Sequence, residues 1–133
     1  MLFNALNIAR SGTLVSRTWM DAISDNVANV NTVNGPGEEP FRARLVVATA
    51  VRDADGTARG TRVDSIIEDQ GEAAVFYSPG HPQADENGLV TRPLVDLGEQ
   101  MADLILASRS YEANLSVIDR VRDTYMAALR IGN

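Results

Sequence analysis

The sequence predicts an α+β protein in which long N- and C-terminal helices form a coiled-coil-like pair, with a small antiparallel β-hairpin or sheet between them. Apolar residues recur at helical spacing near both ends of the 133-residue chain, and no proline interrupts these two segments. The middle instead shows strand-like alternation between clusters of turn-forming residues. A helix, several strands and a second helix are therefore expected in that order.

The C-terminal helix is predicted over residues 95–130, where seam residues follow each other at intervals of four and three. This period of about 3.5 residues is typical of a helix that packs lengthwise on another helix. Such a helix would be about 50 Å long, whereas a compact chain of this size has a radius of gyration of about 14 Å. We therefore expect other molecules to cover its apolar face. The seam comprises Leu97, Met101, Leu104, Ser108, Tyr111, Leu115, Ile118, Arg122, Tyr125 and Leu129.

The N-terminal helix is predicted over residues 4–29, which contain a single glycine, Gly12. Met20, Ile23, Val27 and Val30 repeat the spacing of the other stripe. Leu6 and Ala9 extend this stripe backward less regularly, and Trp19 lies beside it. A second covered face of this helix is therefore expected.

The middle of the chain is predicted to hold a hairpin and a further strand. Residues 31–40 are dense in Asn, Gly and Pro, which indicates a loop. Apolar residues alternate over residues 41–51, and a turn at residues 53–56 leads to a return strand at 61–69. A third strand is predicted at residues 73–77.

Two more turn-rich stretches, at residues 78–82 and 85–88, precede the last helix. The expected organisation is an axial helix at residues 1–32, a loop and small β domain at 33–93, and a second axial helix at 94–133.

Composition excludes several classes of partner. The net charge is −6 and no basic cluster is present, so we expect binding to neither nucleic acid nor an anionic membrane. No stretch approaches the length of about 18 apolar residues that would suggest membrane insertion. The absence of cysteine excludes disulfides and zinc–thiolate sites. No basic region leads into an apolar run near Met1, so no Sec signal peptide is expected.

A catalytic or metal site is not predicted. The single histidine, His81, lies in a Pro-Gly-His-Pro turn without a suitably spaced partner. The acidic runs at residues 53–56 and 85–88 lack the glutamate that closes a calcium loop. We therefore expect no cofactor, and a small enzyme would need a pocket of convergent polar groups that the sequence does not supply.

Four ordered motifs resemble the rod and hook proteins of the bacterial flagellum. Residues 25–32, Asp-Asn-Val-Ala-Asn-Val-Asn-Thr, are similar to their Ala-x-Asn-x-Ala-Asn-x-x-Thr segment, with Asp25 where the family has a small residue. The Gly-Pro-rich link at residues 34–44 and the Pro-Gly-x-Pro-x-Ala-Asp turn at 79–85 resemble those of one family member. Ser-Arg-Ser-Tyr-Glu-Ala-Asn at 108–114 matches its C-terminal motif. Leu89, after Gly88, departs from that pattern, as does the lack of a proline near Gly71.

The resemblance implies a structural role. Rod proteins of this family pack their terminal helices at the core of a hollow helical tube, with the β part outside. They are exported by the flagellar type III apparatus and lie in the periplasm. The implied partners are further copies of the chain, rod proteins B and F, the adapter protein at the rod base and the export apparatus.

The candidate functional residues are those expected at subunit interfaces. Asn26, Asn29 and Asn31 could instead cap local backbone at the end of the first helix, and Tyr111 and Tyr125 could be simple core aromatics. An alternative function is a coiled-coil adaptor of flagellar export or assembly that forms a discrete oligomer. The predicted interface comprises Met20, Ile23, Asn26, Val27, Asn29, Val30, Leu97, Met101, Leu104, Tyr111, Asn114, Leu115, Ile118, Tyr125 and Leu129.

Overall fold

A computed structural model of the protein describes residues 2–131 and confirms the predicted α+β fold. In sequence order, two small antiparallel hairpins lie between two long helices. The elements are α1 (Leu2–Asn29), β1 (Arg44–Arg52), β2 (Ala58–Glu68), β3 (Ala74–Tyr77), β4 (Leu89–Arg92) and α2 (Leu97–Ile131).

Both helices have local signals that fix an end. Asp96 is the N-cap of α2, because its Oδ1 accepts a hydrogen bond of 3.0 Å from the backbone N–H of Glu99. At the end of α1, the side chain of Asn29 donates to the carbonyl of Asp25 and accepts from the hydroxyl of Thr32. The backbone N–H groups of Val30 and Thr32 bond to the carbonyls of Val27 and Asn29, which the helix itself leaves unpaired.

The two helices pack side by side and run antiparallel. Near the end of α1, Asn26 contacts Gln100 close to the start of α2. Farther along, the hydroxyls of Ser16 and Ser110 are 3.0 Å apart. At the opposite end, the rings of Phe3 and Tyr125 meet edge to face with centroids 6.4 Å apart. The predicted helix pair is therefore formed within one chain.

The longer hairpin, β1–β2, forms a two-stranded ribbon along α1. Its register pairs Leu45 with Ile67 and Val51 with Gly60, with irregularities after Val47 and Val51. The predicted turn is confirmed, since the N–H of Asp53 bonds to the carbonyl of Thr57 at 2.9 Å. The first strand begins at Arg44, later than the predicted residue 41, because the preceding residues form part of the link from α1.

The shorter hairpin, β3–β4, contains a strand that the sequence analysis missed. Leu89–Arg92 pairs antiparallel with Ala74–Tyr77, and Thr91 also exchanges backbone hydrogen bonds with Asn34 in the link after α1. Four residues are too few to show a strand period. The bridge to Asn34 ties this hairpin to the exit of the first helix.

The ribbon approaches α1 closely at Gly60. This residue has a φ of 133°, and a Cβ built on it would lie 2.3 Å from the hydroxyl oxygen of Ser11. That hydroxyl accepts a 3.0 Å hydrogen bond from the N–H of Thr61 and donates to the carbonyl of Ile8. Glycine at position 60 therefore lets the ribbon backbone rest directly on the helix.

We expect Gly60→Ala to lower the free energy of unfolding by about 3 kcal/mol, because it combines an unfavourable φ with a clash against Ser11. Gly56→Ala is the matched control, since Gly56 has a φ of 82° but nothing within 4 Å of a built Cβ. The control should cost only about 1–2 kcal/mol. Urea unfolding of both variants measures the difference, and equal losses would show that the ribbon does not rest on α1 at Gly60.

Candidate assembly interface

The seam between the two helices is displaced by one residue from the predicted stripe at every second position. Leu104, Tyr111 and Ile118 belong to both, and all three are half-buried. The other observed seam positions are Gln100, Ala107, Asn114 and Val121, where the sequence analysis placed Met101, Ser108, Leu115 and Arg122.

Small residues explain the displacement. Ala107 is fully buried, and Gly12 of α1 lies so close to Asn114 that a Cβ there would be 2.6 Å from its Oδ1. A 3.5-residue stripe fits two adjacent faces of a helix, and the face with smaller residues allows the closer approach of the backbones. Spacing alone could not distinguish these faces.

The larger apolar residues of the predicted stripe consequently remain outside. Leu97, Met101 and Leu115 are 46%, 42% and 42% exposed, and Leu129 is 50% exposed. Tyr125 contacts Phe3 but is still 46% exposed. Their role in contacts between subunits stays a prediction.

The buried side chains of the described residues are mostly small or polar, whereas the buried side chains of a soluble monomer are mostly large and apolar. Ser16, Asn26 and Gln100 are buried, with 3%, 1% and 8% exposure. Ile23 is the largest buried apolar residue among residues 2–131. Soluble monomers seldom combine such an interior with so many exposed Leu, Ile and Met side chains. The helix pair therefore presents a surface suited to further packing.

The side-chain amide of Asn26 joins three elements. Its Nδ2 donates to the backbone carbonyl of Arg44 at 3.0 Å and to Oε1 of Gln100 at 2.9 Å. Its Oδ1 accepts from the N–H of Arg44 at 2.7 Å. The amide thus pairs with the first residue of β1 as a neighbouring strand would, and it also holds α2. An exposed ion pair of 2.6 Å between Arg44 and Asp25 lies beside this junction.

The other N-terminal candidates are less buried. Met20, Val27, Asn29 and Val30 are half-buried, and Ile23 is 2% exposed. The side chain of Asn29 bonds locally to the backbone carbonyl of Asp25, and its role in a subunit contact stays a prediction.

Asn31 is exposed, whereas Asn26 bonds to residues distant in sequence. Sequence reasoning did not find Gln100, although it stands four residues before Leu104 on the same face of α2.

An apolar notch lies at the other end of the helix pair. It has a volume of about 300 Å³. Its lining comprises Leu2, Phe3, Leu6, Ile118, Val121, Arg122 and Tyr125. Exposed Met126 and Leu129 follow on α2, so apolar surface continues beyond the notch.

The side chains of His81 and Asp55 accept hydrogen bonds within their own turns. Nδ1 of His81 accepts a 3.2 Å hydrogen bond from the N–H of Gln83 within its own turn. Within residues 2–131, no three His, Asp or Glu side chains converge as metal ligands. Hydrogen bonds from the N–H and hydroxyl of Thr57 lower the pKa of Asp55 at the ribbon tip. In the same part of the chain, neither helix carries an apolar stretch long enough to cross a membrane.

A pair of long helices with exposed apolar side chains, linked by small β hairpins, is typical of a structural subunit that packs against neighbours. Residues 87–131 match the family described as the C-terminal part of flagellar basal body rod FlgEFG proteins. The chain is 35% identical to the flagellar basal-body rod protein FlgC of Salmonella typhimurium over 131 residues, covering 98% of both proteins.

Similarity extends to distant bacteria. FlgC of Borreliella burgdorferi is 36% identical over 147 aligned residues, with 98% of this chain and 97% of that protein covered. FlgC of Bacillus subtilis is 33% identical over the same length and coverage. The chain therefore belongs to the FlgC family of flagellar basal-body rod proteins, which confirms the resemblance found in the sequence motifs.

We expect Asn26→Ala to lower the free energy of unfolding by about 3 kcal/mol, because it leaves the backbone groups of Arg44 and the amide of Gln100 without partners. Asn29→Ala is the control, since it removes a local bond at the helix end and should cost about 1 kcal/mol or less. Thermal or urea unfolding of both variants tests this. If Asn26→Ala lowers the free energy of unfolding no more than Asn29→Ala does, the side chain of Asn26 does not hold the three elements together.

Proposed function

We propose that the chain is a structural subunit of the proximal rod, which assembles through its terminal helices into a helical tube that transmits motor torque. The observation that carries this proposal is the apolar exterior of a helix pair whose interior is small and polar. Family membership supports the same role, because the relatives are named as flagellar basal-body rod proteins.

Assembly would bury the apolar side chains that the single chain leaves outside. Leu97, Met101, Ile105 and Leu115 lie along one side of α2, and all are at least 42% exposed. Removing about 100 Å² of apolar surface from water contributes about 2.5 kcal/mol. Contacts between unlike faces of identical subunits produce an open helical array when they do not close into a ring.

The proposal includes the location and neighbours of the subunit. Export through the flagellar type III apparatus would place it in the periplasmic part of the basal body. Its neighbours would be other copies of the chain, rod proteins B and F and the adapter protein at the rod base. Catalysis forms no part of this role, since the features that support it are packing surfaces.

We expect Leu115→Asp to abolish rod assembly and motility while changing the free energy of unfolding of the monomer by less than about 1 kcal/mol. Position 115 lies outside the helix seam, so the monomer tolerates the change. In the assembled rod, however, the aspartate carboxylate would be buried between subunits without a partner, at a cost of several kcal/mol. Ser116→Asp is the matched control, because Ser116 is exposed on the next position of α2 and is polar already.

Motility plates, immunoblots of purified basal bodies and urea unfolding measure the two variants at equal protein level. Equal motility of Leu115→Asp and wild type would show that this face is not a subunit contact. A closed dimer or trimer of the wild-type chain, absent from basal bodies, would instead support the adaptor function.

A further inference from the structure

The side of α1 that faces neither α2 nor the β1–β2 ribbon carries a regular stripe of exposed residues. Gly12 and Ser16 face α2, and Ser11 faces the ribbon, so all three lie on other sides of the helix. Members of the stripe follow each other at alternating intervals of four and three residues, the spacing of a face that another helix can cover lengthwise. This outer stripe of α1 comprises Phe3, Asn7, Arg10, Leu14, Arg17, Asp21, Ser24 and Ala28.

The helix α2 has a flank with the same spacing, on the side of the helix pair away from the ribbon. Ser110 and Asn114 border the space between α2 and the ribbon. The flank lies beyond the seam in the other direction, roughly 100° around α2 from Ala107. All its members are exposed except Ser108, which is half-buried. The flank comprises Met101, Ile105, Ser108, Glu112, Leu115, Asp119, Arg122 and Met126.

The outer stripe of α1 carries a leucine between two arginines. Leu14 is 56% exposed, and it lies four residues after Arg10 and three residues before Arg17. Neither arginine forms an ion pair within residues 2–131. A helix with a leucine between two carboxylates at the same intervals would therefore complement this stripe in both shape and charge.

The flank of α2 carries that complementary arrangement. Leu115 is 42% exposed, and it lies three residues after Glu112 and four residues before Asp119. In the described part of the chain, neither carboxylate forms an ion pair. The two intervals occur here in the reverse order to those of the outer stripe. The leucines and both pairs of opposite charges can therefore all match only when the two helices run antiparallel.

We infer that α1 of one copy of the chain packs antiparallel along α2 of the next copy, with Leu14 of the first against Leu115 of the second. This inference rests on the proposed function, since it specifies one of the contacts that would build the rod. Within one chain the two helices are also antiparallel, so all copies in a row point the same way. The contact joins unlike surfaces and leaves one of them free at each end of the row. Such a contact repeats without closing into a pair.

The residues farther from the two leucines support the same register. Phe3 comes opposite Met126, and these side chains are 70% and 49% exposed. Methionine sulfur packs favourably against aromatic rings. At the other end, Asp21 comes opposite Ser108, whose hydroxyl can donate a hydrogen bond to the carboxylate. Apolar and polar positions of the two surfaces thus correspond over most of their length.

Neighbouring registers match less well. A displacement of one heptad in either direction keeps only one of the two pairs between an arginine and a carboxylate. In one direction Asp119 would lie against Phe3, and in the other Asp21 would lie against Leu115. Either change would remove water from a carboxylate without supplying a partner, which costs free energy. Charges at the edge of an apolar contact therefore select one register.

The absence of cysteine from the chain allows a direct test. Copies carrying Leu14→Cys and copies carrying Leu115→Cys are expressed together, and basal bodies are treated with a short thiol-reactive crosslinker. We expect a crosslinked dimer that is at least several-fold more abundant than with either variant alone. Copies with Val117→Cys replace those with Leu115→Cys in the control. Val117 is also 41% exposed but lies on the opposite flank of α2, so no dimer is expected there.

Two results would overturn the inference while leaving the proposed function intact. They are incorporation of the Leu14→Cys and Leu115→Cys copies without the dimer, and equal crosslinking to Val117→Cys. Absence of the unaltered chain itself from basal bodies would instead overturn the proposed function, and this inference with it.

A charge exchange tests the register. We expect Arg17→Glu and Glu112→Arg each to reduce swimming several-fold at equal protein level, and the double variant to recover most of it. The control combines Arg17→Glu with Asp119→Arg, which should stay impaired because Asp119 lies opposite Arg10 in the inferred register. Recovery by this second combination alone would show that the register is displaced by one heptad. Recovery by neither combination would overturn the pairing of these charges between copies.

Discussion

The hydrogen bonds of the Asn26 side chain determine how the parts of this protein fit together. A single buried amide binds the backbone of Arg44 in both directions and the side chain of Gln100. It therefore sets where β1 starts, how the ribbon lies on α1 and at which height α2 enters the pair. Each of these groups would be costly to leave unpaired in a buried site, so the three elements are held in one arrangement.

The rest of the seam is compatible with this polar junction because its residues are small. Ala9, Ala107 and Gly12 allow the helix backbones to approach closely, and Ser16 bonds to Ser110 between them. Such a seam buries little apolar surface, and the larger side chains remain outside. One chain thus buries only a small hydrophobic core, and in the proposed assembly neighbouring subunits would cover the apolar side chains left outside.

Much of the fold was predictable because its signals are local. The periods of both stripes predicted the helices, and Asp53 to Gly56 predicted the turn of the ribbon. The face of α2 that meets α1 was not predictable, since Ala107 and Asn114 compete with Ser108 and Leu115 for the same positions in a 3.5-residue repeat. The roles of Asn26 and Gly60 also depend on partners distant in sequence, Arg44 and Ser11, which no local pattern identifies. Strand β4 was too short to show a period.

The most direct test compares hydrogen–deuterium exchange of the free chain with that of the chain assembled in rods. In the free chain, we expect slow exchange around Asn26 and in the first residues of β1, and fast exchange in α2 after residue 118, where most side chains are exposed. Assembly should slow exchange along all of α2 and leave the junction unchanged. Uniformly slow exchange along α2 in a verified monomer, unaltered by assembly, would contradict the proposal that neighbouring subunits complete this fold.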